Sequence, residues 1–413
     1  MIRIAHFSDL HYGSRNVAEA DRCFSGAIDR AIALGAEAAV ISGDATDHGL
    51  DLHAPAVGRL AVQLRRLADH CPVLMLQGTF SHEPPGTLSI FRLLGGRHPV
   101  HVAERIEQVA LTACSEWLPS NGWCFDVLPP GARAVFTCLP TVNKAAVAAT
   151  VGAAEADQAV GEHLALLLRG YAPIHRVARR LGLPTIGVSH GTVFGSLNEH
   201  GVPMAGFDHE FTTGALFGAE AQAFMLGHIH RHQSWEFEGR GGRQCIAYSG
   251  SIGRFHYGEE GKKGFLWWEV DADQARCSLE PTPARRTLDI VFEGKPDLDA
   301  LRGALARQDI AGAFLRVRWT VADEDRHKVD RAAIEQLLTG AAEIKLEGRI
   351  VPVVRTRAVG ISQLTNLADK VRAWAEVAGA NEEPLQRCLA ALHTESPEDI
   401  AQRLLRAKTS TAA

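Results

Sequence analysis

The sequence lacks the features that mark several large classes of protein. Its 413 residues include eight cysteines but no C-x-x-C pair, so neither a disulfide framework nor a zinc–thiolate site is expected. It contains no run of 18 apolar residues, which argues against a membrane span. No internal repeat or low-complexity tract is found, and hydrophobic residues make up 46%. A buried core is therefore expected and disorder is not.

An excess of charge of one sign is also absent, because the formal net charge is only −5. This excludes a chain coated in basic residues. It leaves nucleic-acid binding open, since that depends on where Lys and Arg cluster. The N-terminal residues run directly into a strand-like segment with no basic region before an apolar stretch. We therefore expect no leader, and a cytoplasmic protein that does not bind membranes.

Short apolar runs alternate with helical patterns over roughly the first 280 residues, which predicts an α/β layered domain. The predicted strands are Ile2–Phe7, Ala38–Ser42, Val73–Leu76, Thr185–Val188, Ala223–Leu226, Gln244–Tyr248 and Gly264–Val270. The predicted helices are Ala18–Leu34, Ala54–Ala68 and most of Ala145–Leu181.

Prolines around Pro281–Pro283 mark a predicted boundary. Strands are expected at Arg286–Phe292, Phe314–Trp319 and Glu343–Val354, with helices at Asp297–Arg307 and Lys328–Leu338. This β-α-β-α-β order indicates a small α+β domain, and the chain reads as helical from Ile361 onward. We therefore predict three domains, covering residues 1–280, 281–356 and 357–413.

Five of the predicted strands end in residue types that bind divalent metals. These residues are Asp9 and His11, Asp44 with Asp47, His82, His190, and His228 with His230. Residues two apart on a strand point the same way, and ligands bind at the carboxyl ends of strands in α/β sheets. A lone His is more often a core or surface residue, but five strand ends in order are not expected by chance.

The absence of thiolates argues against structural zinc, whereas imidazoles and carboxylates suit Mn, Fe and Zn. A carboxylate such as Asp44 can bridge two ions. Two ions roughly 3.5–4 Å apart can clamp the attacking and leaving oxygens of a phosphodiester and acidify a bound water. An imidazole that binds no metal can protonate the leaving alkoxide. We expect two divalent ions, with Mn favoured over Fe or Zn.

These residues resemble the motif series of the calcineurin-type metallophosphoesterases. The matching segments are DLH at Asp9–His11, GDATD at Gly43–Asp47, SHG at Ser189–Gly191 and GHIH at Gly227–His230. Within that superfamily, Tyr248–Phe265 is similar to a segment of the SbcD-type nuclease subunit of the SbcCD double-strand-break repair complex. The resemblance covers roughly residues 1–355. It implies a four-layer β-sandwich flanked by helices, a small α+β capping domain, and an Mn-dependent DNA exonuclease or endonuclease.

The resemblance also implies a role for each site residue. The implied ligands are Asp9, His11, Asp44 and His230 for the first ion, and Asp44, His190 and His228 for the second. His82 is implied as the leaving-group acid or a transition-state stabiliser. Asp47 is expected to hold a histidine in one tautomer rather than to bind metal.

One segment departs from the family pattern. The family's G-N-H is replaced by Gly78-Thr79-Phe80-Ser81-His82, so the Asn that ligates the second metal is missing. Thr79, Ser81 or a water molecule is expected to take its place. Neutral hydroxyls are weaker ligands than a carboxamide oxygen, so the second ion is expected to bind loosely and to need a high metal concentration.

Substrate contacts are expected from Arg231, Arg254 and His256, which follow the final histidines in sequence. Each taken alone is more often a solvated surface residue. Arg316 and Arg318 alternate on one predicted strand and suggest an outward basic face. The adjacent Trp267 and Trp268 are interpreted as core residues rather than as a surface on which bases stack.

Three functions remain open from the sequence. A DNA nuclease is favoured by the capping domain and C-terminal helices; a small-molecule phosphodiesterase and a DNA-binding subunit with a weakened metal site are the alternatives. In the resembled family, a helical segment corresponding to Ile361–Leu405 docks on the SbcC ATPase, and here it can equally cover the chain's own core. The resemblance further implies a possible homodimer.

Overall fold

The computed structural model describes residues 1–48, 53–94, 96–142, 153–204, 210–239, 242–259, 261–351 and 358–410. The chain divides into two compact units. The first comprises Met1–Phe292, Pro296–Arg318 and Asp330–Glu347, and the second comprises Glu293–Lys295, Trp319–Val329 and Gly348–Ala413. The division into three domains at residues 281 and 357 stays a prediction.

The first sheet in the described part of the chain has six strands. They are β1 (Ile2–Phe7), β2 (Ala38–Ile41), β3 (Val73–Leu76), β4 (Val100–Ala103), β14 (Gly264–Val270) and β15 (Ala275–Pro281). Their spatial order is β15-β14-β1-β2-β3-β4. Strands β1 to β4 are parallel and β14 is antiparallel to β1. The central strands are continuous apolar runs because both of their faces are buried.

The second sheet has seven strands within the described ranges. They are β5 (Glu107–Thr112), β6 (Trp117–Pro119), β7 (Ala132–Leu139), β8 (Thr185–His190), β11 (Ala223–Gly227), β12 (Gln233–Gly239) and β13 (Gly242–Tyr248). Their spatial order is β12-β13-β11-β8-β7-β5-β6. Strands β7, β8, β11 and β13 are parallel, which places their carboxyl ends at one edge. Strands β9 (Thr192–Val193) and β10 (Glu210–Phe211) form a separate parallel pair.

The two sheets pack face to face through a core that includes Ile4, Val40, Phe136 and Met225. Alternate residues of β1 point the other way, so Phe7 packs against the helices that cover the first sheet. These helices are α1 (Val17–Leu34) and α2 (Pro55–Ala68). The second sheet is covered by α3 (Ala153–Arg180) and α4 (Thr213–Phe217). The predicted α/β architecture of helix, sheet, sheet and helix is therefore confirmed.

The predicted β-α-β-α-β order is also confirmed. The elements are β16 (Thr287–Glu293), α5 (Leu298–Ala306), β17 (Phe314–Ala322), α6 (Arg331–Leu337) and β18 (Glu343–Val351). The three strands form one sheet in the order β16-β17-β18. Three further helices follow, α7 (Leu367–Ala378), α8 (Glu382–Thr394) and α9 (Pro397–Ser410).

Several features were not predicted from the sequence. Strands β4 to β7, β12 and β15 have no counterpart among the predicted strands. Residues 145–152 of the predicted third helix and 352–354 of the last predicted strand lie outside the described residues. Trp268 is fully buried between the sheets, as expected for a core residue. In the described part of the chain, no helix is both long and apolar enough to cross a membrane.

Candidate metal centre

The polar residues at the strand ends surround one cavity of about 790 Å³. The predicted site residues that line it are His11, Asp44, Asp47, Thr79, His82, His228, His230 and His256. Asp9 and His190 belong to the same cluster and are almost fully buried. All six predicted metal ligands thus converge, although they come from four separate segments of the chain.

Their ligand atoms fall into two groups, within each of which all atoms lie within 4.8 Å of one another. The first group is Asp9, His11 and His230, and the second is Asp44, His190 and His228. His11, Asp44 and His82 form a further group that links them. The second group is the set that the family resemblance assigned to the second ion, and the first group is the set assigned to the first ion without Asp44. The ligand roles themselves stay predictions.

The orientation of His190 is set by a backbone carbonyl. Its Nδ1 lies 2.8 Å from the carbonyl oxygen of Ser42, which can only accept, so Nδ1 carries the proton and donates. Its Nε2 lies 3.3 Å from Oδ2 of Asp44. Burial lowers the pKa of His190, but the charge and hydrogen bond of Asp44 outweigh burial and raise it to about 10. Metal binding would therefore have to displace a proton from this Nε2.

His11 and His230 present a different arrangement, since their Nε2 atoms lie 2.9 Å apart. Burial lowers the pKa of His11 to about 4 and that of His230 well below its usual value. Both imidazoles are therefore neutral at pH 7 and retain a lone pair. Two neutral imidazoles that face one another beside the buried Asp9 carboxylate fit a divalent cation.

The two carboxylates differ in their protonation. Burial raises the pKa of Asp9 to about 6, although its carboxylate accepts a hydrogen bond from the backbone N–H of His228. Burial also opposes ionisation of Asp44, but His190, His11 and His82 together hold its pKa far below the ordinary range. Asp44 is therefore the permanently ionised group between the two sets, as a bridging ligand must be.

The backbone at this centre is strained. Asp9, His11, Asp44 and His228 have positive φ angles of 50°, 47°, 50° and 101°, a region that residues other than glycine seldom occupy. Such strain persists only where the surrounding structure enforces it, and it concentrates at functional sites. Gly78 adds a steric requirement, because a Cβ there would overlap the Asp44 carboxylate.

Thr79, one of the predicted replacements for the missing Asn, lies beside Asp44 and His190. Its hydroxyl lies 3.2 Å from Oδ2 of Asp44 and 3.2 Å from Nε2 of His190. Ser81 is exposed and is not among the residues that line the cavity. Of the two predicted replacement ligands, the geometry favours Thr79.

His82 lies beside the ligands and is held by Asp47, with 3.1 Å between its Nδ1 and Oδ1 of Asp47. The same oxygen is 2.5 Å from Nδ1 of His48. Burial lowers the pKa of His82, but the hydrogen bond with Asp47 and the charge of Asp44 produce a net rise. A raised pKa keeps more of the imidazole protonated near neutral pH, as a general acid requires.

Sequence reasoning missed Glu83, which ties two ligand loops together. This fully buried carboxylate accepts hydrogen bonds from the backbone N–H groups of Ala45 at 2.6 Å, Thr46 at 3.2 Å and Gly78 at 2.6 Å. It therefore fixes the loop that carries Asp44 against the loop that carries Thr79 and His82. The acidic residue directly after His82 was the only signal in the sequence.

A buried ion pair between Lys263 and Glu259 was also missed. Nζ of Lys263 donates to the backbone carbonyl of His230 at 2.7 Å. Glu259 accepts from the backbone N–H groups of Phe255 at 2.7 Å and His256 at 2.6 Å. The pair thus joins the loop that carries His256 to the ligand His230, and the acid–base spacing of four residues in this loop was its sequence signal.

The predicted substrate contacts have different positions. His256 lines the cavity with its ring stacked on that of His230, at a centroid distance of 5.9 Å. Arg231 does not line it. The guanidinium of Arg254 donates to the backbone carbonyls of Glu259 at 3.3 Å, Gly261 at 2.6 Å and Arg285 at 2.9 Å. This geometry favours a structural role for Arg254.

The positive charges of Arg316 and Arg318 are partly neutralised by an acidic residue. Both guanidinium groups bind the Asp289 carboxylate, at 2.8 Å and 2.5 Å. Both residues lie on the solvent-facing side of β17, as strand alternation predicts. Alternation does not show that an acidic residue lies beside them.

Comparison with known proteins found similar solved structures but no similar sequence. No family model and no curated protein matches the chain. The structure is similar to a dimetal phosphatase from Danio rerio, with 9% identity and a TM-score of 0.40 over 67% of this chain and 98% of that one. It is also similar to a 5′-nucleotidase precursor from Thermus thermophilus, with 16% identity and a TM-score of 0.34 over 68% of this chain and 55% of that one. Because these two similarities are so remote, they support no conclusion about the chemistry of this chain. Any such conclusion has to come from the geometry of the metal centre.

Replacement of Glu83 by Gln should destabilise both the fold and the metal centre. The amide presents only one acceptor oxygen, so at least one buried N–H loses its partner, at a cost of about 1–3 kcal/mol. We expect a lower free energy of unfolding by that amount in urea and weaker Mn binding by calorimetry. The control is Glu116→Gln at an exposed position. Equal stability and metal affinity in the two variants would contradict the role of Glu83.

Proposed function

We propose that the protein is a metal-dependent phosphoesterase and that its biological reaction is the hydrolysis of DNA phosphodiesters. The observation that supports this most directly is the convergence of six carboxylate and imidazole ligands on one cavity, with His82 beside them. Two divalent ions held there, Mn in the first instance, would acidify a water and polarise the phosphoryl group.

The residues of the chain supply the remaining chemistry. Asp44 stays ionised between the two ligand groups and keeps their spacing. His82 donates its proton to the leaving alkoxide as the P–O bond breaks, and Asp47 orients its ring through Nδ1. Thr79 takes the place of the family's Asn beside His190, with a weaker donor atom.

DNA is proposed as the substrate on two grounds. The segment Tyr248–Phe265, which resembles that of the SbcD-type nucleases, contributes Phe255 and His256 to the cavity wall. In the same segment, Nζ of Lys263 donates a hydrogen bond to the backbone carbonyl of His230. The β16–β18 sheet with its two helices has the element order of the capping domain that the same resemblance implies.

An ATPase partner of the SbcC type is proposed to bind the C-terminal helices. This is supported by apolar side chains that α7 and α8 leave open to solvent. Leu367 is 49% exposed, Val377 59% and Leu392 67%. Exposed apolar side chains such as these can be buried when another protein binds. Homodimerisation stays a prediction, since no surface among the described residues points to it.

The substrate proposal predicts that the protein cuts linear duplex DNA in the presence of Mn, in preference to cyclic AMP. We expect Asp44→Asn to lower the rate by more than about 100-fold, beyond the 10–100-fold loss typical of residues that only orient metal ligands. The measurement compares DNA, bis(p-nitrophenyl) phosphate and cyclic AMP in one preparation of each protein. Hydrolysis of the small substrates alone would refute the nuclease, and equal rates in both proteins would point to a contaminant.

A second prediction concerns pH. His82 must be protonated to act as an acid, so the rate should fall as pH rises through its pKa. The hydrogen bond with Asp47 raises that pKa, and Asp47→Asn removes its charge. The falling limb of the pH–rate profile should then move to lower pH, because a neutral amide no longer favours the protonated imidazole. Asp126→Asn, at an exposed site, is the control, and an unmoved limb in Asp47→Asn would contradict His82 as the acid.

The partner proposal predicts that a chain truncated after residue 357 loses co-purification with an SbcC-type ATPase but keeps Mn-dependent phosphodiesterase activity. A full-length chain with Leu392→Asp, which places a charge at one of these exposed apolar positions, should weaken the same association. Retained binding by the truncated chain would exclude the C-terminal helices as the docking site.

A further inference from the structure

A second pocket of about 720 Å³ adjoins the metal centre. Four residues line both cavities, namely Arg15, Asn16, Phe255 and His256. The two spaces are therefore neighbours, and one ligand can extend from the first into the second. The inference drawn from this pocket rests on the proposed function.

The second pocket carries an excess of positive charge. Its cationic side chains are Arg15, Arg285, Arg316 and Lys345, and its acidic ones are Glu199 and Glu343. The carboxylate of Glu343 accepts a hydrogen bond from the Tyr257 hydroxyl, Arg316 is paired with Asp289, and Lys345 is 2.6 Å from Glu347. Arg15 and Arg285 form no ion pair with an acidic residue in the described part of the chain, and Arg285 is the less exposed of the two.

Two backbone hydrogen bonds and a ring contact hold Arg285 in position. Its backbone N–H donates to Glu19 at 2.8 Å, and its carbonyl accepts from Arg254 at 2.9 Å. Its guanidinium lies over the ring of Phe314, 3.7 Å from the centroid. The Nε atom is buried and has no hydrogen-bond partner among the described residues. A buried guanidinium N–H without an acceptor is costly.

Thr287 repeats this pattern at the start of β16. Its Oγ1 is also buried without a partner in the described part of the chain. It lies two residues after Arg285, so both side chains emerge on the same side of an extended segment, and both line the second pocket. A guanidinium N–H and a hydroxyl group without partners, both beside cationic side chains, favour a negatively charged ligand group with several acceptor oxygens. Phosphate oxygens have this character, and arginine binds them with planar, charge-assisted hydrogen bonds.

We propose that the second pocket binds a second phosphate of the substrate, the one next to the scissile phosphate on a nucleic-acid strand. Arg285 and Thr287 donate to its oxygens, and Arg15 and Lys345 add positive charge. The substrate class is therefore a polynucleotide strand that spans both cavities, rather than an isolated phosphodiester.

The test uses oligothymidylates in which single phosphates on either side of the cleavage site are replaced by uncharged methylphosphonates. In the wild-type protein, one position should lower kcat/KM about tenfold, the loss typical of one charge-assisted hydrogen bond. In Arg285→Ala, the same replacement should lower kcat/KM by a clearly smaller factor, because one of the contacts to that phosphate is already gone. Equal losses in the two proteins would overturn the proposal.

Arg286→Ala is the matched control, since it removes the same charge from the adjacent residue. Arg286 is exposed and paired with Asp309 at 2.5 Å, and it does not line the pocket. The ratio of kcat/KM for the oligonucleotide to that for bis(p-nitrophenyl) phosphate should fall about tenfold in Arg285→Ala and stay within about twofold of the wild-type ratio in Arg286→Ala. A similar fall in both variants would contradict the proposal.

If Arg285→Ala fails to fold, Thr287→Val, which keeps the side-chain shape, provides a second test of the subsite. It should lower the same ratio severalfold and diminish the methylphosphonate effect, whereas an unchanged ratio would count against the subsite. If the wild-type protein cleaves no oligonucleotide but hydrolyses bis(p-nitrophenyl) phosphate, the proposed DNA function fails and the subsite fails with it. If the variants cleave the oligonucleotide and the methylphosphonate replacement lowers kcat/KM as much as in the wild-type protein, the subsite alone is rejected.

Discussion

The contact between the Asp44 carboxylate and the His190 imidazole joins the two sheets where their strands end. Asp44 follows β2 of the first sheet and His190 ends β8 of the second, with 3.3 Å between Oδ2 and Nε2. Both side chains are almost fully buried, and an unpaired charge in such a place would be strongly destabilising. The surrounding structure holds them together. Glu83 fixes the loop of Asp44, and the carbonyl of Ser42 orients His190.

The sequence predicted this arrangement well because its determinants are local. Strand β1 has the predicted bounds Ile2–Phe7, and β2 ends one residue earlier than predicted, at Ile41. Buried parallel strands appear as uninterrupted apolar runs, and the polar residues after them therefore mark the carboxyl edge of a sheet. Position along the strands was sufficient to predict which aspartates and histidines meet there.

The parts that could not be predicted depend on contacts distant in sequence. Strands β5 and β7 pair with one another in the second sheet, and neither stood out as a separate apolar run. Glu83 contacts Ala45, 38 residues earlier, and Arg254 donates to backbone carbonyls. No periodicity reveals such partners. Arg285 and Arg286 are adjacent residues of the same type. Arg285 lines a pocket and has an unsatisfied donor, whereas Arg286 is exposed and paired with Asp309.

The most direct test of the two-ion centre is a crystal structure at the manganese absorption edge, from crystals soaked at low and high Mn concentration. Two anomalous peaks roughly 3.5–4 Å apart should lie on either side of Asp44. One should contact Asp9, His11 and His230. The other should contact His190 and His228, with lower occupancy at low Mn because Thr79 replaces a stronger ligand. A single ion bound elsewhere, or no ion at high Mn, would contradict the account.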